Sequence, residues 1–256
     1  MPEAPSVRPA ASGQGRVQHI MADESLRGND LPMPSLLLSY VYLDQFLQFR
    51  HRYAMRDWVM DSGAFSAHNI GTEISLDAYI ETSQELLRTD PKLSEVFALD
   101  VIGDWKASLK NTEKMWEAGV PAIPTYHYGE PEHVLTHIAK HYPKIALGGS
   151  VGMTIKPKME WCEQCFARVW PKKIHGLGVG SRTGIMALPW HSTDATNWEI
   201  GPCRFGRWAS LGKYQPNIRG SKHPLRAEID VYLRWERDAR SKWKKEMAVL
   251  EELNDV

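Results

Sequence analysis

Asp61 and Asp194 are the two residues whose surroundings best suit carboxylate chemistry. Asp61 begins the sequence DSGAF, directly after the apolar run Trp58–Met60. Asp194 lies in the polar segment STDATNW, shortly after Trp190. Hydroxyl and amide donors around a carboxylate keep it ionised, so Asp194 could act as a nucleophile. Either aspartate could instead cap a helix that follows it.

The DSGAF sequence also suits the approach of a flat ligand. Ser62 and Gly63 are small, and Phe65 offers an aromatic ring on which a planar group can stack. Asp100 ends a second apolar run, Val96–Leu99, and a carboxylate at such a position needs a partner. The partner is either a salt bridge within the protein or a pair of N–H donors on the edge of a purine-like ligand.

His127 and two glycine-rich turns extend this set of candidate ligand contacts. His127 follows a further apolar run and is either a buried, hydrogen-bonded histidine or a group that orients the ligand. The turn GGSVG begins with Gly148 and Gly149, and the turn GLGVG begins with Gly176. Neither turn has the spacing of a dinucleotide-binding loop or the lysine of a phosphate-binding loop. Their backbone amides and carbonyls could recognise a planar base.

The three cysteines give a weak metal signal. Cys162 and Cys165 form a CxxC pair within a predicted helix, and Cys203 is the remaining cysteine. A structural zinc needs four ligands and usually a second pair of them. We therefore expect no cofactor and no metal, while zinc bound through these cysteines stays open. The odd number fits a reducing compartment better than a disulfide framework.

Short apolar runs alternate with amphipathic stretches along the chain, which indicates a parallel sheet covered by helices. The runs span 35–43, 58–60, 96–99, 122–125, 144–147 and 174–179, and the helical stretches span 76–88, 105–118, 131–140 and 158–169. Polar or glycine-rich tips follow most of the runs. We therefore predict an α/β fold of the (β/α)8 TIM-barrel type, with the site at the carboxyl ends of the strands. A doubly wound sheet is the alternative.

The ends of the chain complete the prediction of the fold. Residues 1–30 are rich in Pro, Ala, Ser and Gly and predict a disordered leader. Residues 31–256 form one compact catalytic barrel domain in this prediction. Arg204–Ala209 is a candidate closing strand, and Glu228–Leu250 predicts one long helix.

Bulk composition places few limits on function. The chain is 43% hydrophobic with a formal net charge of zero, so overall charge does not indicate a nucleic-acid partner. The segment from Arg204 to Leu250 is nevertheless basic, with twelve Lys/Arg and five Asp/Glu. Such a segment is either a solvated helix face or a phosphate-binding surface. No apolar stretch or signal peptide indicates a membrane, so we expect a cytoplasmic protein.

Taken in order, these motifs resemble the tRNA-guanine transglycosylase superfamily over roughly residues 35 to 210. The order is DSGAF, an apolar strand ending in aspartate, GGSVG, HGLGVGS and LPW…STDATNW. The resemblance is greatest to the compact phage branch that acts on DNA, the DNA-guanine transglycosylase (DpdA) family. It implies an enzyme that replaces guanine in DNA with a 7-deazaguanine base of the preQ0 type, in the host cytoplasm if a phage encodes it.

The resemblance also implies a role for each matching residue. Asp194 falls on the nucleophile that attacks the sugar C1′, and Asp61 on the general acid/base. Phe65 would stack on the base, beside Ser62. Asp100, His127, Gly148 and Gly149 would contact its edges. The phosphate contacts would come from Arg204, Arg207, Lys213, Arg219 and Lys222.

Two departures from the tRNA enzymes favour DNA as the substrate. Those enzymes carry a zinc site of three cysteines and one histidine beyond the nucleophile, whereas only Cys203 lies there in this chain. The chain is also too short for the additional RNA-binding domains of the archaeal enzymes. The same exchange on tRNA, a non-catalytic nucleic-acid-binding relative, and an unrelated hydrolase using Asp61 and Asp194 are the alternatives.

Overall fold

The computed structural model describes residues 33–52, 55–202, 207–214 and 225–252. Within them, helices and strands alternate. The strands are β1 Leu36–Ser39, β2 Trp58–Asp61, β3 Leu93–Val96, β4 Thr125–His127, β5 Lys144–Gly148, β6 Lys173–Gly176, β7 Ser192–Thr193, β8 Arg207–Trp208 and β9 Lys213–Tyr214. The α-helices are α1 Leu43–Phe49, α2 Ala64–Ile70, α3 Leu76–Thr89, α4 Trp105–Glu117, α5 Glu132–His141, α6 Ile155–Val169, α7 Arg182–Ala187, α8 Asn197–Ile200, α9 Leu225–Lys242 and α10 Lys244–Glu252.

The strands β1 to β7 lie side by side in sequence order, and every pairing among them is parallel. A parallel bridge between Phe97 and Ile123 joins the β1–β3 sheet to the β4–β7 sheet. Sequential parallel strands joined by helices give the TIM-barrel-like α/β fold that the alternation predicted. The carboxyl ends of all seven strands therefore meet at one edge.

The buried apolar side chains form one small cluster inside the sheet and two larger clusters between the sheet and the helices. Phe97, Ile123 and Ala146 form an interior cluster, and Leu37 and Val59 pack against it. Two larger apolar clusters lie between the sheet and the surrounding helices. The helices thus cover the outside of the sheet, while its interior carries a small apolar layer with polar groups above and below.

The prediction that Arg204–Ala209 is a closing strand of the barrel is wrong for residues 207–209, the part that the structure describes. Arg207 and Trp208 pair antiparallel with β9 in a separate two-stranded sheet. The carboxylate of Glu228, which is 1% exposed, accepts N–H bonds from Ala209 and Ser210 at 2.8 and 2.9 Å. These bonds tie the β8–β9 turn to α9 instead of to the barrel sheet. Residues 204–206 lie outside the described residues, as does the predicted leader.

The predicted C-terminal helix is present as two consecutive helices, α9 and α10, with an interruption at Trp243. The helix α9 packs against α7 and α8. Its Tyr232 hydroxyl donates to the Gly180 carbonyl at 3.1 Å. At the other end of α9, Lys242 donates to the Met186 carbonyl at 2.8 Å. The helix is therefore held against the last βα units of the barrel at two points.

Candidate active site

Asp61 ends β2 and points into the mouth of the barrel, where it is half-buried. Its Oδ2 accepts the Gly63 N–H at 2.9 Å. Burial raises the pKa of Asp61 to about 6, the Gly63 bond opposes this, and the charges of Asp100 and Asp194 add to the increase. Asp61 can therefore hold and release a proton near neutral pH.

Gly63 makes this arrangement sterically possible. It has a positive φ of 76°, and an added Cβ would lie 2.7 Å from the Ser39 Oγ and 2.9 Å from a Val41 methyl group. The preceding Ser62 is 2% exposed. Only glycine fits at this position between β2 and the end of β1. Gly63 therefore allows the sharp turn after Asp61, and α2 starts at Ala64.

Asp194 directly follows β7, and its side chain is 20% exposed. Two nitrogen atoms lie close to one of its oxygens. Oδ1 lies 2.8 Å from the Gly178 N and 3.3 Å from the His175 Nε2. These two contacts hold one oxygen of Asp194 in place and leave the other without a hydrogen bond within the described residues.

Asp100 and His127 form an ion pair within the protein. The His127 Nε2 lies 3.4 Å from the Asp100 Oδ2, and its Nδ1 lies 3.0 Å from the Glu130 Oε1. Burial opposes protonation of His127, but hydrogen bonds to Asp100 and Glu130 outweigh it and raise its pKa to about 10. The sequence left a salt bridge and a ligand as the possible partners of Asp100. The salt bridge to His127 accounts for one of its two oxygens.

The remaining candidate substrate contacts surround the same mouth. Phe65 lies on the first turn of α2 and is 53% exposed. Gly148 ends β5, and its carbonyl accepts the Tyr128 N–H at 3.0 Å. Gly149 has a φ of 71° and lies against His127. The structure thus brings the predicted substrate contacts to one edge of the sheet.

The predicted phosphate contacts are mostly outside the described residues. Arg204, Arg219 and Lys222 lie there, and only the backbone of Lys213 is described, in β9. Arg207 is exposed in β8. The helix α9 supplies other cations. Arg234 and Arg237 are exposed and have no ion pair within the described residues.

The two described cysteines lie on the buried face of α6. Cys162 is 1% exposed and Cys165 is 4% exposed, within the apolar cluster between α6 and the sheet. Burial raises the pKa of each thiol to about 12. Among the described residues, no three His, Cys, Asp or Glu side chains are grouped as metal ligands. Cys203 is outside that part of the chain.

Sequence reasoning missed three polar groups of the barrel interior. His175 is 4% exposed and bonds Asp194, whereas the sequence drew attention only to the glycines that follow it. Lys144 is 7% exposed and forms an ion pair with Glu95. The signal was alternation: in KIHG the polar residues Lys173 and His175 lie two positions apart on a short strand, which places them on the same face.

A cavity of about 700 Å³ opens between β1 and β7, with Asp194 on its wall. Its floor includes Glu95, Lys144 and His175, and α9 lines its outer side through Tyr232 and Leu233. The lining includes Leu36 and Lys144, which begin β1 and β5, so the cavity reaches the amino ends of the strands. Asp61, Phe65, Asp100 and His127 are not among its lining residues, so the cavity contacts the candidate site through Asp194.

Comparison with known proteins gives a distant similarity of fold. No family model and no curated protein matches the chain. Among solved structures, the chain is similar to the tryptophan synthase alpha chain from Legionella pneumophila subsp. pneumophila, at 10% identity and a TM-score of 0.43. That similarity covers 88% of this chain and 96% of the other. Separately, no helix among the described residues is both long and apolar enough to cross a membrane.

Proposed function

We propose that the barrel is a base-exchange glycosyltransferase that replaces guanine in DNA with a 7-deazaguanine base. One observation carries the proposal. Burial raises the pKa of Asp61 to about 6 and the charge of the nearby Asp194 adds to the rise, while Asp194 itself accepts the Gly178 N–H and lies beside the His175 Nε2. An acid and a nucleophilic carboxylate at one mouth are the pair that this chemistry needs.

In the first step, an oxygen of Asp194 attacks the sugar C1′ as the bond from C1′ to the guanine N9 breaks. The electron pair of that bond leaves with guanine. Asp61 in its protonated form gives its proton to a ring nitrogen of the base, so guanine leaves as a neutral molecule. The sugar stays bound to Asp194 as an ester.

In the second step, the 7-deazaguanine base takes the place of guanine. The Asp61 carboxylate removes the N9 proton of the incoming base, and N9 attacks C1′. The bond from C1′ to Asp194 breaks, and its electron pair returns to the carboxylate. Two successive displacements retain the sugar configuration and restore both aspartates to their starting states.

The surroundings of the pair support a flat, flipped base as the group that binds. The exposed Phe65 ring offers a stacking surface beside Asp61. The second oxygen of Asp100 can accept N–H donors of a guanine edge while His127 holds the first. Exposed apolar side chains also follow three neighbouring strands, at Val101, Tyr128 and Val151. Such side chains suit contact with bases that have left the stack.

The choice of guanine, of DNA and of a preQ0-type base rests on the order of the sequence motifs. The second candidate is the same exchange on tRNA, which the same pair of aspartates would serve. The test incubates the protein with a guanine-containing DNA strand or with tRNA, together with a 7-deazaguanine base, and measures the nucleosides by mass spectrometry. We expect the deaza-nucleoside in DNA. Its appearance in tRNA alone would contradict the DNA assignment, and its absence from both would contradict base exchange.

The proposal includes no metal. Cys162 and Cys165 are buried within the apolar cluster between α6 and the sheet, and a structural zinc needs four ligands. We expect elemental analysis of the purified protein to find no stoichiometric zinc, and a chelator to leave the melting temperature unchanged. One zinc per chain, with a lower melting temperature after chelation, would contradict this expectation.

A further inference from the structure

We propose that His175 is a positioning residue that holds Asp194 through its Nε2–H, and that a part-buried chain from Glu95 through Lys144 and Ser192 fixes the required imidazole tautomer. This inference rests on the proposed function, because it concerns how the nucleophile of that reaction is aimed. It draws on residues that the base-exchange steps themselves do not use.

The chain consists of consecutive short contacts inside the barrel. The Lys144 Nζ donates to both Glu95 oxygens at 2.7 and 2.6 Å and to the Ser192 Oγ at 3.0 Å. The Ser192 Oγ lies 2.8 Å from the His175 Nδ1. The His175 Nε2 lies 3.3 Å from the Asp194 Oδ1. Five side chains from four strands of the barrel are therefore connected in one line.

The hydrogen count gives this line a direction. A lysine ammonium only donates, so the Ser192 Oγ accepts from Lys144. The Ser192 hydroxyl hydrogen is then available to the His175 Nδ1, which accepts it in the arrangement that we propose. A neutral imidazole that accepts at Nδ1 carries its hydrogen on Nε2, and that hydrogen points to Asp194. In this arrangement the ion pair of Lys144 and Glu95 favours the tautomer that donates to the nucleophile.

The direction has a chemical consequence for Asp194. His175 and Gly178 both donate to Oδ1, while Oδ2 has no hydrogen bond within the described residues. Oδ2 is therefore the oxygen that attacks C1′. When the ester breaks in the second step, the two donors stabilise the charge that returns to the carboxylate. Both effects lower the barrier to chemistry and leave binding of the base unaffected.

Three variants test the role of His175. His175→Phe keeps a ring against Phe97, which His175 contacts edge-on at 4.9 Å, but removes both hydrogen bonds. His175→Gln keeps an N–H donor near the position of Nε2. Ser192→Ala removes the group that selects the tautomer. Ser83→Ala is the control, since Ser83 is equally a buried serine, hydrogen-bonded to the Tyr79 carbonyl in α3.

The measurement is incorporation of radiolabelled guanine into a guanine-containing DNA oligonucleotide, or into tRNA if only tRNA is exchanged. We expect His175→Phe to lower kcat about 100-fold with the KM for guanine within about twofold. Ser192→Ala should lower kcat about tenfold, and His175→Gln should recover at least tenfold over His175→Phe. Ser83→Ala should match the wild type. Full activity of a folded His175→Phe protein, or no recovery with glutamine, would overturn the inference.

Nitrogen NMR of the wild-type protein tests the tautomer without any activity. We expect His175 to carry its hydrogen on Nε2 alone, and Ser192→Ala to change this pattern. Hydrogen on Nδ1 alone, or on both nitrogens, would overturn the inference even if His175→Phe failed to fold. Failure of the proposed function gives a different result, because no guanine exchange would occur in the wild type while the tautomer could still be as described.

Discussion

The fold places Asp61 where its ionised form is disfavoured. It is half-buried, and burial together with the charges of Asp100 and Asp194 makes its ionised form costly, against the Gly63 N–H that stabilises it. An acidic group with a pKa near 6 is suited to giving and taking a proton at neutral pH. A raised pKa in the barrel mouth also has a consequence for stability.

The first prediction is that Asp61→Asn stabilises the protein at high pH. A pKa of about 6 in the folded state against 3.8 in the unfolded state means that the folded protein binds this proton more tightly. Stability is therefore lost as pH rises from 3.8 to 6, by up to about 3 kcal/mol. Urea unfolding at pH 8 should show the variant more stable than the wild type, and at pH 3.5 the difference should disappear.

Asp77→Asn controls for the removal of a surface carboxylate, since Asp77 is exposed on the first turn of α3. We expect that variant to show no comparable gain at pH 8. If Asp61→Asn were less stable than the wild type at pH 8, the Asp61 carboxylate would be contributing stability, and a role as a proton donor near neutral pH would lose its physical basis.

At the scale of elements, most strands and the polar residues at their ends could be predicted from the sequence. The contacts between side chains of different strands could not. The apolar runs fell on four of the seven barrel strands and overlapped β3 and β4 by one residue each, because those two strands, LSEV and TYH, carry polar residues. The strand β7 escaped because it has only two residues, Ser192 and Thr193, and neither is apolar. The role of His175 escaped because it depends on which strand side chains meet inside the barrel, and a single sequence gives no such pairing.

The turn after β2 gives the second prediction. Gly63→Ala and Gly71→Ala both place alanine at a positive φ, near 76° and 69°. An added Cβ at Gly63 would meet Ser39 and Val41, whereas nothing lies within 4 Å at Gly71. We expect each variant to lose about 1 kcal/mol of stability from strain, and Gly63→Ala to lose more from the clash.

The two glycine variants should differ more in guanine-exchange activity than in stability. The Gly63 N–H donates to Asp61, so a shifted turn displaces the proposed general acid, and we expect at least a tenfold loss of guanine exchange. Gly71→Ala should keep wild-type exchange. Equal exchange by the two folded variants would contradict the view that the β2 turn positions Asp61.

For the whole molecule, the zero net charge conceals an uneven distribution. Several cations of α9 are paired with carboxylates, as Arg226 is with Asp230 and Arg240 with Glu236. The exposed pair of Arg240 and Glu236 supports a solvated helix face for part of the basic segment. Arg234 and Arg237 are exposed without such a pair in the described residues, so they are the candidates for phosphate contact.

The third prediction is that Arg234→Glu with Arg237→Glu weakens binding to DNA at low salt. Phosphate contacts release counterions, so the slope of log affinity against log salt should fall by about 1–2. Lys110→Glu with Lys114→Glu makes the same charge change on the exposed face of α4 and serves as the control. An equal effect of the two double variants would mean that only overall charge matters, and no effect of either would place the phosphate contacts elsewhere.

The central claim is that Asp194 forms a covalent bond to the sugar during base exchange. The most direct measurement incubates the protein with a guanine-containing DNA strand, quenches the reaction without added base, and maps the modified peptide by mass spectrometry. We predict a nucleic-acid adduct on the peptide that contains Asp194, and neither adduct nor exchange in folded Asp194→Asn, because an amide does not attack C1′. An adduct on another residue, or near-normal exchange by Asp194→Asn, would contradict the account.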